Sequence, residues 1–461
     1  MAGLSQGGGV GLATANWMTT NDPGFDVWGM DNARFGDWAT PRYTNPKVTE
    51  NYARRFRISF PNEELPAARN HMTSPIHDRL AANNAVFGAA FGLEYPLWFQ
   101  REGEAPVETV TFRRSNAFAV VANEVAAVRS GVGMLETTGY AKYQFRGPGA
   151  RSFLDSILTN TLPKVGRLAL TSMLNHQGKI IGDFTVAALA DDDFMVFGSG
   201  PAERYHERWF RAQLPTDRSV QFDICGNELT GLSLAGPLSR DVLADLCDID
   251  LSTDAFPFRQ ITRTWVGAVP VILSRVSFTG DLGYEIWCKA SYQQQLFDSL
   301  MAAGAPHGLR LFGIRALDSM RLDKLWGSWS SEYRPIYDPI EANLGWMVKA
   351  SKSFIGSDAV AAVRAAGPTR KLVAFSVDVG SGPDAADCYG DEPIAHNGKV
   401  IGWVTSGGFA HHSGLSIALG YVPIELATEA DGWEIEIVGE VRPAALLTEA
   451  PFDPSGQRLR A

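Results

Sequence analysis

The chain has 461 residues, 45% of them hydrophobic and 20% charged, with a formal net charge of −10. That length exceeds a single compact core and predicts two to four domains of ordinary globular composition. The acidic balance argues against a nucleic-acid partner, which needs clustered Lys and Arg to neutralise phosphates. No stretch is long and apolar enough to span a bilayer, and the start MAGLSQGGGVGLATANW lacks the regions of a secretory signal, so a cytoplasmic protein with no membrane partner is expected.

Cys225, Cys247, Cys288 and Cys388 lie far apart with no CxxC pair, and the eight histidines are scattered. Free thiols and no metal site are the expectation. The composition sets no oligomeric state.

In chain order, residues 1–24 are expected to form a mobile N-terminus. The run Gly7-Gly8-Gly9-Val10-Gly11 follows no strand, so it is not a dinucleotide loop. Residues 25–110 are rich in aromatics and turn formers with little periodicity, and predict a segment wrapped over a larger body. A first lobe is expected over 111–219. Phe118, Val121, Val125 and Val128 recur at helical spacing before Gly131. Strands are predicted at Tyr140 to Phe145, Leu168 to Leu174, Ile181 to Leu189 and Phe194 to Ser199, with a short helix after Pro148. A second lobe over 220–365 holds strands at Leu232 to Ala235 and Val269 to Phe278, with helices at Tyr292 to Ala303 and Ile314 to Lys324. Both lobes read as α+β. From 366 to 461 short strands separated by Gly and Pro predict a small all-β domain.

Three segments carry candidate chemistry. In SMLNHQGKIIGDFTVAAL, period two puts Asp183, Thr185 and Ala187 on one strand face. A carboxylate entering an apolar sheet face needs a hydrogen-bond partner or a raised pKa; the alternative is a turn Asp ending a hairpin. In RVSFTGDLGYEIWCKA, the turn Thr279 to Gly283 precedes Glu285, which is flanked by apolar residues. Glu285 reads either as a bidentate acceptor for a flat donor edge or as a salt-bridge partner of Arg275 or Arg315. In the third, Arg315, Asp318 and Leu322 share a helix face, and Asp318 and Arg321 are spaced for an internal ion pair. The loop that follows carries Trp326, Trp329, Tyr333, Tyr337 and Trp346, a packed lid or the walls of a site for a flat ligand.

These segments, with PIEANLGW and GWVTSGGF…SIALGYV, occur in the order seen in the glycine-cleavage T-protein (aminomethyltransferase) family. The chain resembles most closely the folate-binding C-terminal half of dimethylglycine and sarcosine dehydrogenases. FDVWGMDNARFGDW…SPIHDRL…AVFGAAFGLEYPLWF is similar to the stretch joining flavin and folate parts in those enzymes. The resemblance implies an α+β, three-domain cloverleaf with a C-terminal all-β domain and a central channel for tetrahydrofolate. It implies Asp183 as the carboxylate beside the reactive folate nitrogens, Glu285 as the reader of the pterin N–H edge, and Thr185 and Tyr284 as folate contacts. Phe278 and Trp326 stand where the dehydrogenases tend to carry Tyr, and Leu317 where T-proteins carry Arg. The two aromatic swaps keep stacking surfaces but lose two hydroxyl groups.

The chain starts where a flavin domain would end, so no flavin is expected. A redox-neutral transfer follows, from a small aromatic substrate seated by Trp329 and Tyr333. A methylenedioxyphenyl lignan of the sesamin type is the sharpest candidate donor. The alternative is a folate-binding subunit that accepts formaldehyde or an iminium from a separate flavin-dependent dehydrogenase.

Overall fold

The computed structural model describes residues 3–20, 22–382 and 384–461. Two β-sheets face each other, helices cover their outer faces, and a closed six-stranded barrel sits beside them.

The first sheet has five antiparallel strands in the order Arg167–Leu174, Ile180–Ala190, Asp193–Gly198, Ala141–Arg146 and Gln221–Ile224. Alternation divides its side chains between two environments. Tyr143, Phe145, Phe184 and Val186 face one way, into a core closed by the helices Ala150–Ile157 and Glu203–Gln213. Asp183, Thr185 and Ala187 face the other way, beside Leu168 and Phe197.

The second sheet runs Ile261–Val266, Val269–Ser274, Gly283–Lys289, Leu229–Ala235, Gly133–Glu136 and Arg310–Leu311, with the last pair parallel. Its Tyr284, Ile286 and Cys288 face a core that includes Leu296 and Leu300 of the helix Gln293–Gly304. Glu285 and Trp287 project from the opposite face, toward the first sheet. Trp287 stacks on Phe197 there, with ring centroids 4.8 Å apart. Only glycine fits opposite it, since a Cβ on Gly231 would lie 2.5 Å from the indole.

The sheets do not follow the sequence boundaries of the expected lobes. The strand Gly133–Glu136, placed with the first lobe by chain order, hydrogen-bonds into the second sheet. The helix Ala117–Ser130 just before it packs with the helix Ile314–Leu322. The strand expected to reach Phe278 ends at Ser274, because the Arg275 backbone is taken by Arg259 and Gln260.

The N-terminal stretch expected to be mobile is a helix, Gly3–Thr20. Five glycines argue against helix in the sequence, at about 1 kcal/mol each. Tertiary contacts offset part of that cost: Ala13 is buried, and the Arg208 guanidinium lies 5.6 Å from the Trp17 ring. The segment read as an aperiodic wrap contains a hairpin, Ala85–Ala90 with Leu93–Phe99, whose Trp98 is fully buried against the helix Ala117–Ser130.

The C-terminal strands close a barrel in the order Arg370–Val377, Leu415–Pro423, Lys399–Ala410, Pro393–His396, Trp433–Ile437 and Glu440–Leu447. The last residues return to the lobes. Arg458 binds Asp281 at 2.7 Å, and Arg275 donates to the carbonyls of Arg460 and Ala461. Arg129 completes this clamp by reaching Asp281 at 2.6 Å and Asp323 at 3.1 Å. All four cysteines are free. No helix among the described residues is long and apolar enough to cross a membrane.

Candidate functional site

Asp183 and Glu285 sit on the facing surfaces of the two sheets, each half-buried. Asp183 lies opposite Ser172 in its strand pair, yet no side chain among the described residues donates to its carboxylate. Burial pushes its pKa up to about 6, offset only by its own backbone N–H. Glu285 lies between Ser274 and Ser233, and burial alone pushes its pKa up to about 7. The salt-bridge reading of Glu285 fails. Arg275 donates to the carbonyls of Phe256, Arg460 and Ala461, and Arg315 pairs with Glu108 at 2.8 Å. The hairpin-turn reading of Asp183 also fails, because Asp183 lies within the strand Ile180–Ala190 and not in the turn before it.

The remaining expected site residues divide. Thr185 is on the Asp183 face, half-buried, one strand pair further along. Phe278 and Trp326 come together although 48 positions apart in sequence: their rings stack at 5.6 Å and 27° and remain partly exposed. Tyr333 is buried, and the negative charge of Asp183 adds to the burial that raises its hydroxyl pKa. Trp329 lies in the same buried cluster as Tyr333. It packs edge-on against His206 at 5.1 Å and near Tyr205 at 6.0 Å, as part of a core. Tyr284 is a correction: it is fully buried on the sheet face opposite Glu285, with its hydroxyl 3.3 Å from Arg240. Period two forbids neighbours in one strand from sharing a face.

Tyr140, which the sequence reading does not single out, lies near Glu285 on the same side of the second sheet as Trp287. Its ring centroid lies 6.1 Å from that of Trp287, and its hydroxyl feels burial first, then the charges of Glu285 and Asp318. The signal was available, since Tyr140, Lys142 and Gln144 alternate with the core residues Tyr143 and Phe145. Asp318 makes the ion pair its spacing predicts, 3.3 Å to Arg321, while staying exposed. Among the described residues no cluster of three or more His, Cys, Asp or Glu is arranged to hold a metal ion.

Two carboxylates without side-chain partners, on the facing surfaces of two sheets, suit a ligand that offers N–H donors. Residues 76–352 match the GCVT N-terminal domain and residues 370–453 the glycine cleavage T-protein C-terminal barrel domain. The chain belongs to the glycine-cleavage T-protein family. Residues 22–74 match the FAD dependent oxidoreductase central domain, so the aromatic-rich early segment is kin to part of a flavoenzyme.

Human mitochondrial dimethylglycine dehydrogenase is 32% identical over 99% of this chain and 53% of that protein. Human mitochondrial sarcosine dehydrogenase is 30% identical over 100% and 55%. The chain thus spans about half the length of these curated relatives. An aminomethyltransferase of Symbiobacterium thermophilum is 32% identical over 74% of this chain and 91% of its own length. The solved aminomethyltransferase T of the Bartonella henselae glycine cleavage system shares the fold, with a TM-score of 0.71 and 24% identity over 83% of this chain and 98% of that one.

Proposed function

We propose that the chain transfers a one-carbon unit to tetrahydrofolate at the cleft between the two sheets. The observation that carries this reading is the pair Asp183 and Glu285, each left without a side-chain partner. A partly buried carboxylate left without a partner is costly, and it persists where a ligand completes it.

Glu285, ionised, accepts two N–H donors from the pterin edge, and Thr185 lines the approach on the Asp183 strand. Tetrahydrofolate supplies the amine nitrogens that take up the carbon. Asp183 Oδ holds or moves the proton at the reacting end, and a pKa of about 6 lets it do either near neutral pH. Holding both reactants between the sheets can lower the barrier by about 7–11 kcal/mol.

For the donor, the reading is an aromatic ether, with a methylenedioxyphenyl lignan of the sesamin type as the sharpest candidate. The Phe278–Trp326 stack supports this choice, because a wall without hydroxyl groups suits a flat apolar donor better than a zwitterionic glycine derivative. Tyr333, beside Asp183, is the substrate-side residue. The chain's own step needs no flavin.

A second reading has the chain accept formaldehyde or an iminium from a flavin-dependent N-methyl amine dehydrogenase. The match of residues 22–74 to a flavoenzyme domain favours it. The test is to incubate purified protein with tetrahydrofolate alone and a panel of methoxy, methylenedioxy and N-methyl donors, then weigh the folate product. A catechol with 5,10-methylene-tetrahydrofolate supports the first reading. Turnover only with an added amine dehydrogenase overturns it and supports the second.

A further inference from the structure

We propose that Glu332 is a positioning residue through which the barrel sets the substrate wall of the cleft. The inference rests on the one-carbon transfer reading.

Glu332 is fully buried and far more heavily bonded than a loop residue needs. Its Oε1 accepts the hydroxyls of Thr405 at 2.5 Å and Ser406 at 2.7 Å, both from the barrel strand Lys399–Ala410. Its Oε2 accepts the backbone N–H of Ser328 at 2.9 Å and lies 3.8 Å from Arg321. Arg321 in turn donates to the Trp326 carbonyl at 3.1 Å and to Ser406. One carboxylate therefore ties the barrel to both ends of the loop 326–333.

That loop carries the two residues whose placement matters. Trp326 stacks on Phe278. Tyr333, next to Glu332, reaches back so closely to Gly327 that a Cβ there would lie 2.9 Å from its hydroxyl. Tyr333 is also the tyrosine that feels the Asp183 charge. Glu332 itself faces Arg321, Thr405 and Ser406 and is not part of the Asp183 surface, so it acts through its neighbours. A rigid support of this kind is what a reacting geometry requires, since a displacement of about 1 Å can lower a rate about a hundredfold.

The test compares Glu332→Gln with Glu341→Gln, which removes a similarly buried carboxylate held by Arg370 outside the cleft. Turnover is expressed per tetrahydrofolate-binding site, so that loss of folded protein does not count. The expected result is a fall of about tenfold or more in kcat for Glu332→Gln, with KM for tetrahydrofolate within about twofold of wild type. Glu341→Gln should lose thermal stability and keep its turnover per site. Ser406→Ala, altered only on the barrel side, should reproduce the kcat loss at smaller amplitude. Normal turnover per site in Glu332→Gln overturns the proposal and leaves Glu332 a purely structural group. Wild-type protein that binds no tetrahydrofolate would instead sink the transfer reading. The anchoring itself is then decided by amide hydrogen exchange, which should rise in 326–333 of Glu332→Gln and stay unchanged in 399–410; unchanged exchange in 326–333 overturns it.

Discussion

The molecule treats fully buried and half-buried carboxylates differently. At the clamp between lobes and barrel, Asp281 receives Arg129 and Arg458, and Asp323 receives Arg129 and Ser413. Between the two sheets, Asp183 and Glu285 receive no side-chain donor, and burial raises both pKa values. The same chemical group is fully satisfied where it holds domains together and left bare where two sheets face each other. Paired charges suit a fixed joint, whereas a bare carboxylate is a binding or proton-transfer group awaiting its partner. The contrast can be broken or sharpened by removing one member from each side.

The largest effect is expected at the clamp. Arg129→Met keeps the bulk of the side chain but leaves two buried aspartates short of a cation, and also removes the guanidinium that sits 3.7 Å over the Phe452 ring. Breaking a buried pair from one side costs about 3–5 kcal/mol. Denaturant unfolding should show that loss. A midpoint close to wild type would mean the clamp is no stronger than a surface ion pair.

Next comes Asp183→Asn, which keeps shape and removes charge. Turnover should fall about 10²–10⁴-fold, the usual contribution of a positioned acid or base, while tetrahydrofolate still binds. Near-normal turnover removes Asp183 from the chemistry. A smaller effect is expected for Glu285→Gln, which sets an amide donor against a pterin donor. Charge-assisted hydrogen bonds contribute about 1.5–3 kcal/mol each, so tetrahydrofolate affinity should drop about tenfold or more in a titration. Unchanged affinity would remove Glu285 from recognition.

The two regions also differ in how far the sequence exposes them. The strand carrying Asp183 is legible because its alternation is local: Asp183 and Thr185 against Phe184 and Val186. Strand alternation around Glu285 is equally local, and applied consistently it places Tyr284 on the far face. What the sequence does not carry is the pairing of surfaces. Phe197 meets Trp287, and Glu332 meets Thr405, at separations of 90 and 73 positions, with no periodicity to announce either contact. Trp329 stays open in the sequence for a related reason, since an aromatic in a loop is equally suited to a wall or a core until His206 is seen beside it. The N-terminal helix was hidden by its glycines, whose low propensity is a true local signal overridden by contacts with Arg208.

The last expected effect is the one that tests the contrast without substrate. The folded-state pKa of Asp183 is raised to about 6 and that of Glu285 to about 7, from 3.8 and 4.5. In the window between the lower and upper values the folded chain holds protons that the unfolded chain has released. Stability contributed by these groups is therefore fully present below about pH 4 and is lost as pH rises through about 6 and 7. Each pKa unit corresponds to 1.36 kcal/mol at most, so partly exposed groups shifted by about two units contribute on the order of 1–3 kcal/mol each. Asp183→Asn combined with Glu285→Gln should flatten this part of the stability profile and raise the melting temperature at pH 8 relative to wild type, though activity is lost. At the clamp the opposite holds: Asp281→Asn should lower the melting temperature at pH 8. Melting curves of wild type and both variants from pH 4 to 8 decide the matter. A double cleft variant that melts lower than wild type at pH 8 would show that Asp183 and Glu285 are held by the fold as the clamp carboxylates are, and would end the case for reading them as an open site.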